Sequence, residues 1–136
     1  MTISVLIISH EEIGNALIQT ASKAFEELPL PTTVVNVDPN TDPEVLLPKL
    51  KRLIKNIGNP TGVLILTDLF GSTPDNIAKA LQNGINARIV SGLNLPMLIK
   101  VMNYPNLTLD ELAEKAIIGG REGVRSDATE NSENSK

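Results

Sequence analysis

The chain has 136 residues, 41% of them hydrophobic and 21% charged, which suits one compact domain and is too short for two ordinary ones. A net charge of -4 and an aromatic content of 2% argue against a nucleic-acid binder, because such binding rests on clustered cations and on rings that stack with bases. With no cysteine, disulfides, thiolate catalysis and cysteine-ligated zinc are all excluded, and the single histidine, His10, carries all the imidazole chemistry available.

The apolar run from Ile3 to Ile8 is a strand's length, has no basic flank and is followed at once by His10, Glu11 and Glu12. It reads as a buried strand rather than a signal peptide. No apolar stretch approaches the ~20 residues needed to span a bilayer, so a soluble, cytoplasmic protein with no membrane insertion is expected. A helix is predicted over 13–27, where Ile13, Ala16, Leu17, Thr20, Ala21 and Ala24 recur at helical spacing. The second strand, Thr32 to Val37, alternates less cleanly than the first and is expected nearer a sheet edge.

Asp42-Pro43 reads as an N-cap followed by proline at the first helical position, opening a helix over 42–57 in which Pro48 predicts a kink or a later start. The third strand, Gly62 to Thr67, is apolar almost throughout, as expected of a central parallel strand covered on both faces. Pro74 to Gln82 is the third helix, with Thr73 as its candidate cap. Ala87 to Ser91 is the fourth strand and Leu95 to Met102 the fourth helix. A last helix is predicted from Thr108 to Ile118, with Thr108 and Glu111 as a capping box and Gly119-Gly120 as its terminator. From Ser126 the chain is polar with one alanine, a composition that predicts a disordered tail over 126–136 behind a domain over 1–125.

Strands alternating with helices imply an α/β fold, a doubly wound, mostly parallel sheet of four strands. Ligands of such sheets sit outside the C-terminal strand ends, at the crevice where strand order reverses. His10 follows the first strand and Asp68 the third. In a 2-1-3-4 order those strands are neighbours about 4.8 Å apart, so a hydrogen bond between the two side chains is expected. A carboxylate that accepts from Nδ1 fixes the imidazole tautomer and leaves the Nε2 lone pair for attack on a phosphoryl group.

After Asp68 the turn Leu69 to Pro74 leads into a helix. A phosphoryl group in transfer spreads negative charge over three oxygens, which a helix N-terminus with nearby N–H and hydroxyl donors stabilises. Gly71, Ser72 and Thr73 are therefore the candidate phosphoryl-binding residues, although a Gly-Ser turn is also chosen for backbone geometry alone. Glu11 and Glu12 form an acidic pair that reads as solvated carboxylates at a helix start rather than as metal ligands. No Walker A sequence and no G-x-G-x-x-G occurs, so the phosphoryl donor is expected to be another protein, with no cofactor and no metal.

These residues resemble the IIA domain of the mannose-type phosphoenolpyruvate-dependent sugar phosphotransferase system (PTS). The resemblance rests on the first strand closing on Ser9-His10, on Gly62 through Asn76, on Ser91 through Leu98 and on Gly120 through Val124, and it runs to about Arg125. It implies a phosphotransferase in which His10 is the phosphoryl acceptor, Asp68 orients its ring and Ser72 with its loop contacts the phosphoryl group. It also implies HPr, or a nitrogen-branch relative, as donor, and a separate IIB protein or a regulatory partner as the next step. A homodimer is implied too, in which a short C-terminal strand, here Glu122 to Arg125, pairs with the partner's sheet. Three rivals stand beside this reading. A two-component receiver would use Asp68 as acceptor with Mg²⁺, Glu11, Glu12 and Ser91 around it, but lacks a lysine-proline pair after a fifth strand. The phosphotransfer subunit of dihydroxyacetone kinase shares the fold and the histidine. A pure binding module would keep the fold and use the surface around His10 to dock a partner.

Overall fold

The computed structural model describes residues 3–57 and 61–127. Four strands, β1 (Ser4–His10), β2 (Thr32–Val37), β3 (Val63–Thr67) and β4 (Ala87–Ser91), form a sheet in the order β2-β1-β3-β4. Every pairing is parallel, with Ile7 opposite Val34 on one side and Leu66 on the other. Five helices connect and cover the strands: α1 (Ile13–Ser22), α2 (Pro43–Asn56), α3 (Thr73–Gln82), α4 (Leu95–Met102) and α5 (Leu109–Glu122). β1 and β3 are central and buried along nearly their whole lengths, and β2 lies at an edge, as their apolar patterns predict.

Side chains alternate across each strand and divide the core into two layers. Ile3, Val5, Ile7, Leu64 and Leu66 meet Ala21, Leu98, Val101, Leu112 and Ala116, from α1, α4 and α5, on one face. Leu6, Ile8 and Ile65 meet Leu50, Ile77, Ala78 and Leu81, from α2 and α3, on the other. Burying so many branched aliphatic side chains, at roughly 1.5–3 kcal/mol each, makes up for the scarcity of aromatics. No helix among the described residues is long and apolar enough to cross a membrane.

Two boundaries differ from expectation, the ends of α1 and α5, while α2 keeps its expected cap and start. α1 ends at Ser22 rather than Glu27, because the amides of Lys23, Ala24 and Phe25 bond three residues back to the carbonyls of Thr20, Ala21 and Ser22. That tightening, ahead of Pro29 and Pro31, turns the chain so that Leu30 enters the core with no exposed surface. α2 begins at Pro43, where the Asp42 side chain caps the Glu44 amide, and runs through Pro48. The amide missing at Pro48 would have bonded the carbonyl of Glu44, an exposed first-turn residue, so the lost bond does not fall in the core.

α5 continues through Gly119-Gly120 to Glu122 rather than stopping there. A Cβ on Gly119 would lie 2.5 Å from Lys100 Cβ, and one on Gly120 2.8 Å from Met97 Cε. The pair lets α5 approach α4 closely and does not break the helix. Glu122 thus belongs to a helix, and 123–127 form no strand within this chain. The Thr108–Glu111 capping box is present in both directions, with bonds of 3.1 and 3.2 Å. Of the predicted tail, 128–136 lie outside the described residues.

Gly14 sets how closely α1 approaches β1. Its amide donates to the buried Ser9 Oγ at 2.9 Å, and a Cβ there would lie 2.6 Å from that oxygen and 2.8 Å from Ile7 Cγ2. Gly14→Ala is expected to lower the unfolding free energy by about 1–3 kcal/mol. Urea denaturation checks this, and an unchanged midpoint contradicts it.

Candidate active site

β1 and β3 end side by side because Ile8 pairs with Thr67, which places His10 and Asp68 together at the C-terminal rim of the sheet. Asp68 Oδ2 lies 2.8 Å from His10 Nδ1 and 3.2 Å from the His10 amide nitrogen. One carboxylate oxygen thus holds both the ring and the backbone of the same residue. The Asp68 side chain is 9% exposed and the His10 side chain 38% exposed, so the support is buried while the imidazole reaches the surface. Asp68 Oδ1 is buried and has no hydrogen-bond partner, which concentrates the contacts of this carboxylate on His10.

An ionised carboxylate only accepts, so Nδ1 carries the proton and Nε2 holds the lone pair of a neutral ring. Just beyond, Glu11 takes a left-handed conformation with φ of 49°, the only non-glycine residue with positive φ among those described. Its amide donates to Val37 O at 2.9 Å, so the link from β1 to β2 persists to the edge of the site as the chain turns into α1. The Glu12 carboxylate accepts from Asn15 Nδ2 at 2.8 Å and Asn36 Nδ2 at 3.3 Å, which ties the start of α1 to β2.

The loop after Asp68 differs in detail from expectation. Ser72, not Thr73, occupies the N-cap position of α3, and Thr73 and Pro74 open the helix. The Ser72 side chain makes no capping bond; its hydroxyl donates to Leu69 O at 2.6 Å and its amide to the same carbonyl at 3.3 Å. Gly71, with φ of +81°, commits its amide to Asp75 Oδ2 at 2.9 Å. Of the three candidate phosphoryl-binding residues, Gly71 and Ser72 are therefore held by bonds within the loop and its helix, while Thr73 is exposed at the helix start.

Sequence reasoning missed Asp75. This first-turn residue of α3 has no exposed surface and accepts four bonds: from Thr67 Oγ1 at 3.0 Å, Ser91 Oγ at 2.8 Å, the Gly71 amide and Lys79 Nζ at 3.2 Å. Thr67 and Ser91 are register partners at the ends of β3 and β4. The available signal was an acidic residue in a helix's first turn, with hydroxyl residues ending the two strands before and after that helix. Lys79 also sits over the Phe70 ring, 4.5 Å from its centroid. Leu69 and Phe70 are 59% and 74% exposed, giving the site an apolar rim. Next to Asp68 opens a cavity of about 830 Å³ between that rim, the end of β4 and α5, lined by Ile89, Ser91, Met97 and Val124 among others.

The switch point of this parallel 2-1-3-4 sheet thus carries a partly exposed histidine held by a largely shielded aspartate. Residues 4–117 match the EIIA-man family, described as the PTS system fructose IIA component, and the chain belongs to that family. The PTS system mannose-specific EIIAB component of Escherichia coli (strain K12) is 29% identical over 130 residues, covering 92% of this chain and 39% of that protein. The chain thus spans about two fifths of the length of the curated relatives it matches. Among solved structures, the mannose/sorbose-specific IIA subunit of Enterococcus faecalis superposes with a TM-score of 0.82 at 28% identity, over 93% of this chain and 95% of that one. The EIIA component of Streptococcus agalactiae shares the fold, with a TM-score of 0.79 at 23% identity over 93% and 98% of the two chains.

Burial pushes the Asp75 carboxyl upward, but its bonds from Gly71, Ser91, Lys79 and Thr67 together outweigh that and hold it below the ordinary value of 3.8. A group lowered on folding contributes stability above its unfolded value, and that stability is lost as pH falls through the lowered folded value. Asp75→Asn removes this titration. The stability gap between wild type and Asp75→Asn, on the order of 1–2 kcal/mol at neutral pH, is expected to narrow as pH falls from about 5 to below 3.8. Urea titrations across that range check it, and a gap independent of pH contradicts it.

Proposed function

We propose that this chain is a protein-histidine phosphoryl carrier of the PTS. It accepts a phosphoryl group from HPr, or a nitrogen-branch relative, on His10 Nε2, and passes it to a IIB protein or signals through its phosphorylation state. The observation that carries this reading is the 2.8 Å contact from Asp68 Oδ2 to His10 Nδ1, which directs the free lone pair of the ring outward. In transfer, that lone pair forms the new N–P bond as the donor's N–P bond breaks, and the breaking bond's electrons return to the donor imidazole. The His10 ring, substituted at Nε2 and still protonated at Nδ1, becomes cationic. The Asp68 carboxylate stabilises that charge, the role an aspartate plays beside a histidine in other catalytic pairs.

The loop supplies the second element. The hydroxyl of Ser72 reaches a phosphoryl oxygen by releasing the Leu69 carbonyl, Thr73 offers a hydroxyl and an amide at the opening of α3, and the helix dipole favours the charge. Gly71 provides the left-handed turn that presents them. Leu69 and Phe70 give a donor protein an apolar surface beside the reacting nitrogen. The receiver alternative fits less well, because Asp68 is nearly buried and spends one oxygen on His10, and Glu12 is spent on Asn15 and Asn36.

Incubation with phosphoenolpyruvate, enzyme I and HPr is expected to give an acid-labile, base-stable adduct seen by intact mass. His10→Ala is expected to abolish it, and Asp68→Ala to slow transfer by roughly 10²-fold or more with the fold preserved. A hydroxylamine-sensitive adduct that needs Mg²⁺ and survives His10→Ala would sink the carrier reading in favour of the receiver.

The carrier works as a homodimer in which 123–125 add to the partner's sheet. Two features support this: β4 has no strand on its outer side among the described residues, and Val124 is 77% exposed. Sedimentation is expected to give a dimer mass for the wild type and a shift towards monomer for Val124→Asp; a monomeric wild type at micromolar concentration contradicts it.

A further inference from the structure

We propose that Asp75 is a positioning residue for phosphoryl transfer, fixing the 69–72 loop relative to His10; this rests on the carrier reading given above. Four segments that meet at the site converge on its carboxylate. Oδ1 gathers the hydroxyls of Thr67 and Ser91, at the ends of β3 and β4, and Oδ2 gathers the Gly71 amide and Lys79 Nζ. Thr67 is the residue before Asp68, so one buried carboxylate holds the side chain of the residue immediately before the histidine's partner and the backbone amide of the loop three residues after it.

The grip matters because little else holds that loop. Gly71 is exposed, left-handed and has nothing within 4 Å of where a Cβ would stand. The other ties of the turn among the described residues are the two bonds from Ser72 to the Leu69 carbonyl, which close the turn on itself, and the Asn76 amide to the Ser72 carbonyl at 2.9 Å, which joins it to α3; none of these reaches the sheet. Asp75 supplies that link. Removing the carboxylate releases the Gly71 amide and so loosens the Gly71–Ser72 end of the loop, while the His10–Asp68 pair keeps its own contacts and Leu69 and Phe70 stay exposed beside it, so the loss falls chiefly on the transfer step rather than on docking. A displacement of about 1 Å in a transfer site is enough to cost roughly 10²-fold.

The test is single-turnover transfer from phosphorylated HPr to the full chain, measured over a range of HPr concentration. Asp75→Ala is expected to lower the rate at saturating HPr by about 10- to 100-fold while the half-saturating concentration moves by less than about 3-fold. Asp75→Asn keeps an oxygen for the Gly71 amide and is expected to recover to within about 5-fold of wild type. Asp75→Ser leaves a hydroxyl for Thr67 and Ser91 but is too short to reach Gly71, so it behaves like alanine and replaces it should the alanine variant not fold. A wild-type rate at saturation in the alanine or serine variant, a change confined to the half-saturating concentration, or a folded asparagine variant no faster than alanine would overturn the proposal. Failure of the wild type to take up phosphate from HPr would instead overturn the carrier reading itself.

Discussion

A single carboxylate oxygen, Asp68 Oδ2, takes both the amide and the ring Nδ1 of His10, and the rest of the molecule serves to keep those groups within 3.2 Å of each other. The contact needs two strand ends side by side, hence the adjacency of β1 and β3 in the sheet. It needs a carboxylate that is largely shielded and an imidazole that is not, and the side-chain exposures of 9% and 38% meet that need. The consequence is chemical: a histidine otherwise free to place its proton on either nitrogen has one basic nitrogen, and that nitrogen faces outward.

The core explains why the geometry persists. Parallel strands buried on both faces cannot slip by one residue without turning the whole apolar set of Val5, Ile7, Leu6 and Ile8 to the wrong layers. The register that brings Ile8 opposite Thr67, and with it His10 beside Asp68, is thereby fixed by hydrophobic burial far from the site. A second carboxylate, Asp75, extends the same order to β4 and to the loop after Asp68. In the proposed carrier, the first aspartate organises the nucleophile and the second the surface that receives the phosphoryl group.

Much of this was legible in the sequence. Apolar β-branched runs separated by helix-length segments give four strands and their parallel order, and uneven alternation in Thr32 to Val37 marks an edge. The His10–Asp68 contact follows from that order alone. What was not legible depends on packing between elements. Gly119 and Gly120 have the composition of a helix stop, yet they are the places where α5 touches Lys100 and Met97 of α4. Thr73 has the look of a cap, but Asp75 draws the Gly71 amide inward and moves the cap position to Ser72. The importance of Asp75 itself comes from a carboxylate with no exposed surface meeting residues from three other segments, which spacing along one chain does not reveal.

The measurement that bears most directly on the central contact is ¹⁵N and ³¹P NMR of the phosphorylated protein, which distinguishes the two ring nitrogens of His10. Phosphate on Nε2, with the Nδ1 proton retained and hydrogen-bonded, is the result this structure predicts. Phosphate on Nδ1, the nitrogen that Asp68 occupies, or on a carboxylate, would contradict it.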